Sequence, residues 1–270
     1  MKYINSCRFR GSLLMMVTAV CFSTAACAQP LNNKGKFTRQ DTLRGTITPE
    51  RAWWNVQHYN LHVAPDYKSK TLKGWNEIMF TVSGYSRNRK MQIDLQQPMK
   101  VDSVVFENKR LAFKRLGNVF YIEFGMRFSN PPRLLPGETA SSKKYGVRIY
   151  FSGKPREAIN PPWDGGWIWK KDTKGNPWMT VACQGLGASV WYPCKDHQGD
   201  EPDNGAILAI TVPDSLVAVG NGRLISTMQK GNGLTEYQWE VKNPINNYNI
   251  VPYIGKYAHF SDSYIGETEK

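Results

Sequence analysis

The stretch "CKDHQGDEPDNG", Cys194 to Gly205, is where this chain looks most like a reactive centre. Asp196, His197, Asp200, Glu201 and Asp203 crowd together just behind a cysteine. Such residues can bind a cation, move protons between a carboxylate and an imidazole, or close turns by bonding to their own backbone. The D-x-[DN]-x-[DN]-G spacing of a calcium loop is missing. From these residues alone, a solvated turn, a cation site and a catalytic centre all remain open.

The other chemistry-bearing residues narrow the choice. The common zinc-peptidase helix needs H-E-x-x-H, in which two imidazoles one turn apart hold the metal and the glutamate takes a proton from water. The four histidines are His58, His62, His197 and His259. His58 and His62 have the i, i+4 spacing, but they frame "HYNLH" with no glutamate. They also sit in an alternating strand pattern, where four residues span about 13 Å, so the two rings are expected on a sheet surface. No G-x-S-x-G elbow and no phosphate-cradling loop is present. No metal ligand and no catalytic residue is therefore expected in this chain.

Any site must be positioned by strands. "WNVQHYNLHV" sets Tyr59, Leu61 and Val63 against Gln57, Asn60 and His62, and the pattern recurs in "LKGWNEIMFTV", "KMQIDL", "KVDSVVFEN", "NVFYIEFG" and "YGVRIYFSG". Further strands are expected at "WMTVAC", "AILAITVP", "LVAVGNG" and "TEYQWEV". Each is rich in β-branched and aromatic residues and bounded by Gly, Asn, Ser or Pro, and no long segment has a helical period. The expected fold is all-β, a sandwich of antiparallel sheets, and the 41% hydrophobic content suffices for a core. One long interruption, Pro155 to Trp178, carries Trp163, Trp167, Trp169 and Trp178. It reads either as a loop pinned by its own tryptophans or as an aromatic platform for a glycan or protein, which would make the chain a stand-alone extracytoplasmic binding module.

Ahead of the strands lies a leader. Lys2, Arg8 and Arg10 precede a short apolar run, Leu13 to Phe22, and small residues follow up to Ala28. This is the pattern of a secretory signal peptide over residues 1–28, too short to span a bilayer as a helix. Cleavage after Ala28 is one reading; the other takes "TAAC" as a lipobox, with Cys27 as a lipid anchor and the only membrane contact. The chain is thus expected to be exported, to the periplasm or beyond. Cleavage leaves Cys183 and Cys194 as the remaining cysteines, and whether they pair stays open. Residues 29–50 are polar and aperiodic, and a flexible arm is expected there. The net charge of +13 becomes +10 without the leader's three cations. Basic residues are scattered at turns rather than gathered with stacking aromatics, so nucleic acid is not the expected partner.

Five motifs in order carry a resemblance. "QHYNLHVAPDYKSKTLKGWNEIMFTV", "IDLQQPMKVDSVVFEN", "QGLGASVWYPCKD", "VPDSLVAVGNGRL" and "YNIVPYIGKYAHF" are together similar to the N-terminal domain of the aminopeptidase N family of zinc metallopeptidases, peptidase family M1, in its bacterial leukotriene-hydrolase-like branch. The resemblance implies a curved, saddle-like antiparallel β-sandwich over residues 51–262, with 263–270 leading toward a separate zinc-binding catalytic domain. Zinc is thereby implied for the full-length family member and not for this chain. The resemblance also implies one substrate-binding residue: Gln184, twelve positions before Asp196, would accept from the free α-amino group of a peptide substrate. It makes the acidic turn a structural element outside the zinc centre. Two positions depart from the pattern: Ala182 stands where many members carry Gln, and Ser189 where many carry Arg.

Overall fold

The computed structural model describes residues 38–83, 90–124 and 143–263. The expected signal peptide, Cys27, residues 29–37 of the expected arm and the stretch 264–270 lie outside the described residues. Arg39 onward forms one compact unit.

That unit opens with two short helices, α1 (Arg39–Gly45) and α2 (Pro49–Ala52), and continues almost wholly as strands. β1 (Trp54–Asp66) and β2 (Thr71–Val82) form a long antiparallel hairpin, from Trp54↔Val82 to Asp66↔Thr71. A bulge between Val56 and His58 lets Val56, Tyr59, Leu61 and Val63 all point inward. The three-residue step from Gln57 to Asn60 in the polar pattern is this bulge read in sequence. The other strands are β3 (Lys90–Asp94), β4 (Lys100–Phe106), β5 (Lys109–Leu111), β6 (Phe113–Leu116), β7 (Val119–Glu123) and β8 (Tyr145–Gly153). Then follow β9 (Gly166–Lys171), β10 (Pro177–Ala182), β11 (Ala206–Pro213), β12 (Val217–Val219), β13 (Arg223–Gly231), β14 (Leu234–Val241) and β15 (Tyr253–Gly255).

The strands make three sheets: β13-β14-β11-β1-β2-β8-β4-β5, β12-β15-β10-β9 and β3-β7-β6. Among the described strands all pairings are antiparallel except β1 with β11, which run parallel from Tyr59↔Ala206 to Val63↔Ile210. The long intervening chain permits that crossover. The inner face of the large sheet (Tyr59, Leu61, Ile78, Phe80) shares one apolar core with Ile93 and Ile122 from the three-stranded sheet and Trp167, Met179 and Ile254 from the four-stranded one. This is the all-β, sandwich-like arrangement expected from the alternation.

Two expectations are corrected here. Residues 39–50 are not a free arm. α1 buries no residue and α2 buries only Arg51, so neither has an apolar stripe to betray it, and polar bonds hold them instead. Gln92 Nε2 donates to Leu43 O at 3.0 Å, and Thr48 Oγ1 donates to Gln92 Oε1 at 2.9 Å. Nor is Pro155–Trp178 one loop. Its "GWIWKK" is β9, paired with β10 from Gly166↔Ala182 to Lys171↔Pro177.

Candidate functional site

The four-stranded sheet delivers the site at the end of β10. Cys183 O accepts the amides of Leu186 and Gly187 at 3.1 and 2.8 Å, which folds residues 184–186 into a tight turn. Gly185 and Gly187 both have positive φ, +70° and +80°, conformations that side chains with a Cβ rarely adopt. Gln184 opens this turn and is exposed. The turn runs into a buried 3-10 segment, Ala188–Val190, and then the core pair Trp191 and Tyr192.

The acidic stretch lies under this turn as its support. Asp196 accepts from Ser189 N at 3.1 Å and Ser189 Oγ at 2.6 Å. Ser189 Oγ accepts in turn from Gln96 Nε2 at 3.0 Å, so the serine at this departure from the family pattern has a full set of partners. Backbone bonds between Asp94 and Cys194 (2.9 and 3.1 Å) tie the stretch to β3. Asp200 pairs with the buried Lys195, whose Nζ also donates to Trp54 O at 2.7 Å and lies 4.5 Å from the Trp54 ring. Asp203 accepts from Asn55 and Gln57 at 2.8 and 2.6 Å. His197 Nδ1 accepts from Gly199 N at 3.1 Å. Asp196 and Asp200 thus bond within their own stretch of chain, and Asp203 ties that stretch to β1. Among the described residues no group of three His, Cys, Asp or Glu side chains is placed to hold a metal ion.

Electrostatics agree. Burial pushes the Cys183 thiol up to about 12 and Cys194 well above the usual thiol range, so both are protonated and poor nucleophiles. Both are free thiols in this structure. Burial lowers the proton affinity of His197, with Arg51 adding to that effect. Beneath the stretch lies a buried ion pair, Arg51 with Asp94, both at most 3% exposed at the side chain. Burial, opposed by Arg51, pushes Asp94 up to about 6. Nothing in the sequence pattern marked this pair, because Arg51 and Asp94 stand 43 residues apart, one at the start of the expected β domain and the other in an expected strand.

The remaining candidates do not join the site. His58 and His62 lie on the outward face of β1; His62 stacks on Trp75 at 3.9 Å and sits 3.5 Å from Glu236. Trp167 and Trp169 are core residues, 0% and 6% exposed, and Trp167 packs 5.6 Å from Trp191. Trp163 is 72% exposed. A platform built on Trp163, Trp167 and Trp169 is therefore not favoured, since two of its three rings face inward.

Gly187 decides how the turn and the aspartate fit. A Cβ there would meet Asp196 Oδ2 at 2.4 Å and would also have to adopt φ +80°. Gly187→Ala is expected to cost about 1–3 kcal/mol, read as a lowered urea midpoint with an unchanged slope.

With this geometry in place, comparison with known proteins is decisive. The peptidase M1 N-terminal domain matches residues 55–248, most of the chain, including the Gln184 turn and the acidic stretch beneath it. This chain belongs to that family. Among solved structures it is similar to an M1 zinc metallopeptidase from Deinococcus radiodurans, at 20% identity and a TM-score of 0.57 over 76% of this chain and 42% of that one. It is also similar to leukotriene A4 hydrolase from Saccharomyces cerevisiae, at 16% identity and a TM-score of 0.53 over 75% of this chain and 29% of that one. The chain thus spans less than half the length of these structural relatives. No curated protein matches significantly. Identities this low establish the shared M1 N-terminal fold; the matched family domain places Gln184 and Asp196 within it.

Proposed function

We propose that this M1 N-terminal domain walls the substrate cleft of an exported zinc aminopeptidase, with Gln184 holding the free amino end of the peptide. The observation that carries the reading is the pairing of an exposed Gln184 with a rigidly supported turn inside the matched domain. A side-chain carbonyl oxygen accepts from an ammonium, and its value rises when its backbone is fixed before the ligand arrives. A variant of the Deinococcus enzyme has been solved with a Tyr-Ser-Ala substrate, which shows that a relative of this fold takes a short peptide.

Zinc does not fit the residues described here. The two thiols are held protonated by burial, the His62 and His197 imidazoles are engaged with Asn60 and the Gly199 amide, and among the described residues no three His, Cys, Asp or Glu side chains converge on one point. The metal that activates water in such an enzyme belongs, on this reading, to a separate catalytic domain that is the chain's partner. The exposed Tyr253, Tyr257 and Phe260 after the last matched strand support such a partner, since aromatic side chains left in water at a segment end are suited to a protein interface. Export rests on the leader motif in the sequence, and the lipid anchor at Cys27 remains the alternative to cleavage after Ala28.

The test is a nuclear magnetic resonance titration of the 270-residue chain with Tyr-Ser-Ala and with its N-acetylated form. The Gln184 side-chain amide is expected to shift with the free amine and to ignore the blocked one. An equal response to both peptides, or none to either, contradicts the role.

A further inference from the structure

The turn that carries Gln184 is gripped by a residue outside the matched domain. Arg44, in the last turn of α1, donates from Nη1 to Leu186 O and from Nη2 to Gly185 O, the latter at 3.1 Å. Leu186 O also accepts from Gln96 Nε2 at 2.6 Å. Two successive carbonyls of a two-glycine turn are therefore held by one planar fork. That fits guanidinium geometry and exceeds what a lysine point charge can do.

Arg44 can act this way because its own backbone is fixed. Arg51 Nη1 donates to Arg44 O at 2.6 Å and to Thr46 O at 2.9 Å, while Arg51 Nη2 pairs with Asp94. At the other end of α1, Gln40 Oε1 accepts from Asn118 N at 2.8 Å, anchoring the helix to the turn before β7. Asp94 also accepts from Asp196 N at 2.9 Å, and Asp196 holds Ser189. The Gln184 turn is thus clamped from two sides that meet at one carboxylate: Asp196 and Ser189 below it, and α1 with Arg44 across it.

A turn containing Gly185 and Gly187 has little stiffness of its own, because glycine has the most backbone freedom to lose. Gln184 is exposed, so packing does not fix its amide, and its direction depends on the main chain beneath it. We infer that Arg44 is a positioning residue for Gln184, and that α1 is a strap that sets the direction of the amide meant for the substrate's amino group. The inference rests on the Gln184 reading for its functional meaning, but the clamp itself can be tested separately.

The experiment compares the wild-type 270-residue chain with Arg44→Ala, Arg44→Lys and Gln184→Ala. Its readouts are amide exchange at Leu186 and Gly187, order of the Gln184 side-chain amide, and the Tyr-Ser-Ala titration. One charge-assisted bond corresponds to about tenfold in local opening, so Arg44→Ala is expected to speed exchange at those two amides about tenfold or more, while β1 amides stay unchanged. Arg44→Lys is expected to restore only part of the protection. The Gln184 amide should become more mobile in Arg44→Ala, and its response to the free-amine peptide should weaken. Unchanged exchange and unchanged Gln184 order in Arg44→Ala overturn the inference whatever the peptide does. Full rescue by lysine also overturns it, since a fork would then be unnecessary. If the wild-type Gln184 amide ignores the peptide while the clamp results hold, the Gln184 reading fails and the clamp stands.

Discussion

Asp94→Ala is expected to lower folding stability at pH 7 by about 3–5 kcal/mol, because it leaves the Arg51 guanidinium buried without its counter-charge. The side chains are 0% and 3% exposed, so water does not replace the missing partner. The loss also removes the acceptor for Asp196 N, so the base of the Gln184 turn loosens with it. The double variant Arg51→Met/Asp94→Leu separates the two contributions: replacing both charges with apolar groups of similar volume is expected to recover most of the loss. Urea denaturation of the three proteins measures this. A double variant as damaged as the single one would show that the pair's hydrogen bonds, rather than an uncompensated charge, dominate.

The pair also gives a pH signature. Burial raises Asp94 to about 6 in the folded chain from an ordinary value near 3.8. A carboxyl raised on folding contributes stability that is fully present below its unfolded value and lost as pH rises through the folded one. Stability of the wild type relative to Asp94→Asn is therefore expected to fall between about pH 4 and pH 7, while the asparagine variant lacks that component. Midpoints measured across this range decide it, and parallel profiles would contradict the assignment to Asp94.

Trp191→Ala is the second large effect, at about 3–5 kcal/mol. Trp191 is fully buried, with Tyr192 at 4.6 Å and Trp167 at 5.6 Å, so truncation opens a large gap between the turn and the four-stranded sheet. Its Nε1 has no hydrogen-bond partner among the described residues. Trp191→Phe therefore removes no bond and is expected to cost under about half as much as alanine. Thermal or urea midpoints of the two variants test this. Equal losses would mean that the indole nitrogen has a role the packing does not show.

Much of this was legible in the sequence. Strands such as β1, β2 and β8 announce themselves because one face of each meets the core, and period-2 alternation records that burial directly. β9 was hidden because Gly166, Trp167, Ile168 and Trp169 are buried on both faces, which erases alternation and leaves only a cluster of tryptophans. α1 and α2 were hidden for the opposite reason: they bury almost nothing apolar and are held by Gln40, Arg44, Thr48 and Arg51 through polar bonds. The position of Gln184 came from its place within a recognisable string of motifs. The clamp on its turn did not, since Arg44 and Leu186 are 142 residues apart and only the folded chain brings them together. The acidic stretch shows the same limit from the other side. Its composition allowed a cation site, and only the partners of Asp196, Asp200 and Asp203 reveal three separate structural tasks.

The central claim is that these residues present a wall for a substrate's amino end and supply none of the groups that activate water. The purified 270-residue chain, incubated with an aminoacyl-anilide and zinc, tests this directly. The account predicts no anilide release above buffer, with or without chelator. Sustained release that a chelator abolishes would contradict it.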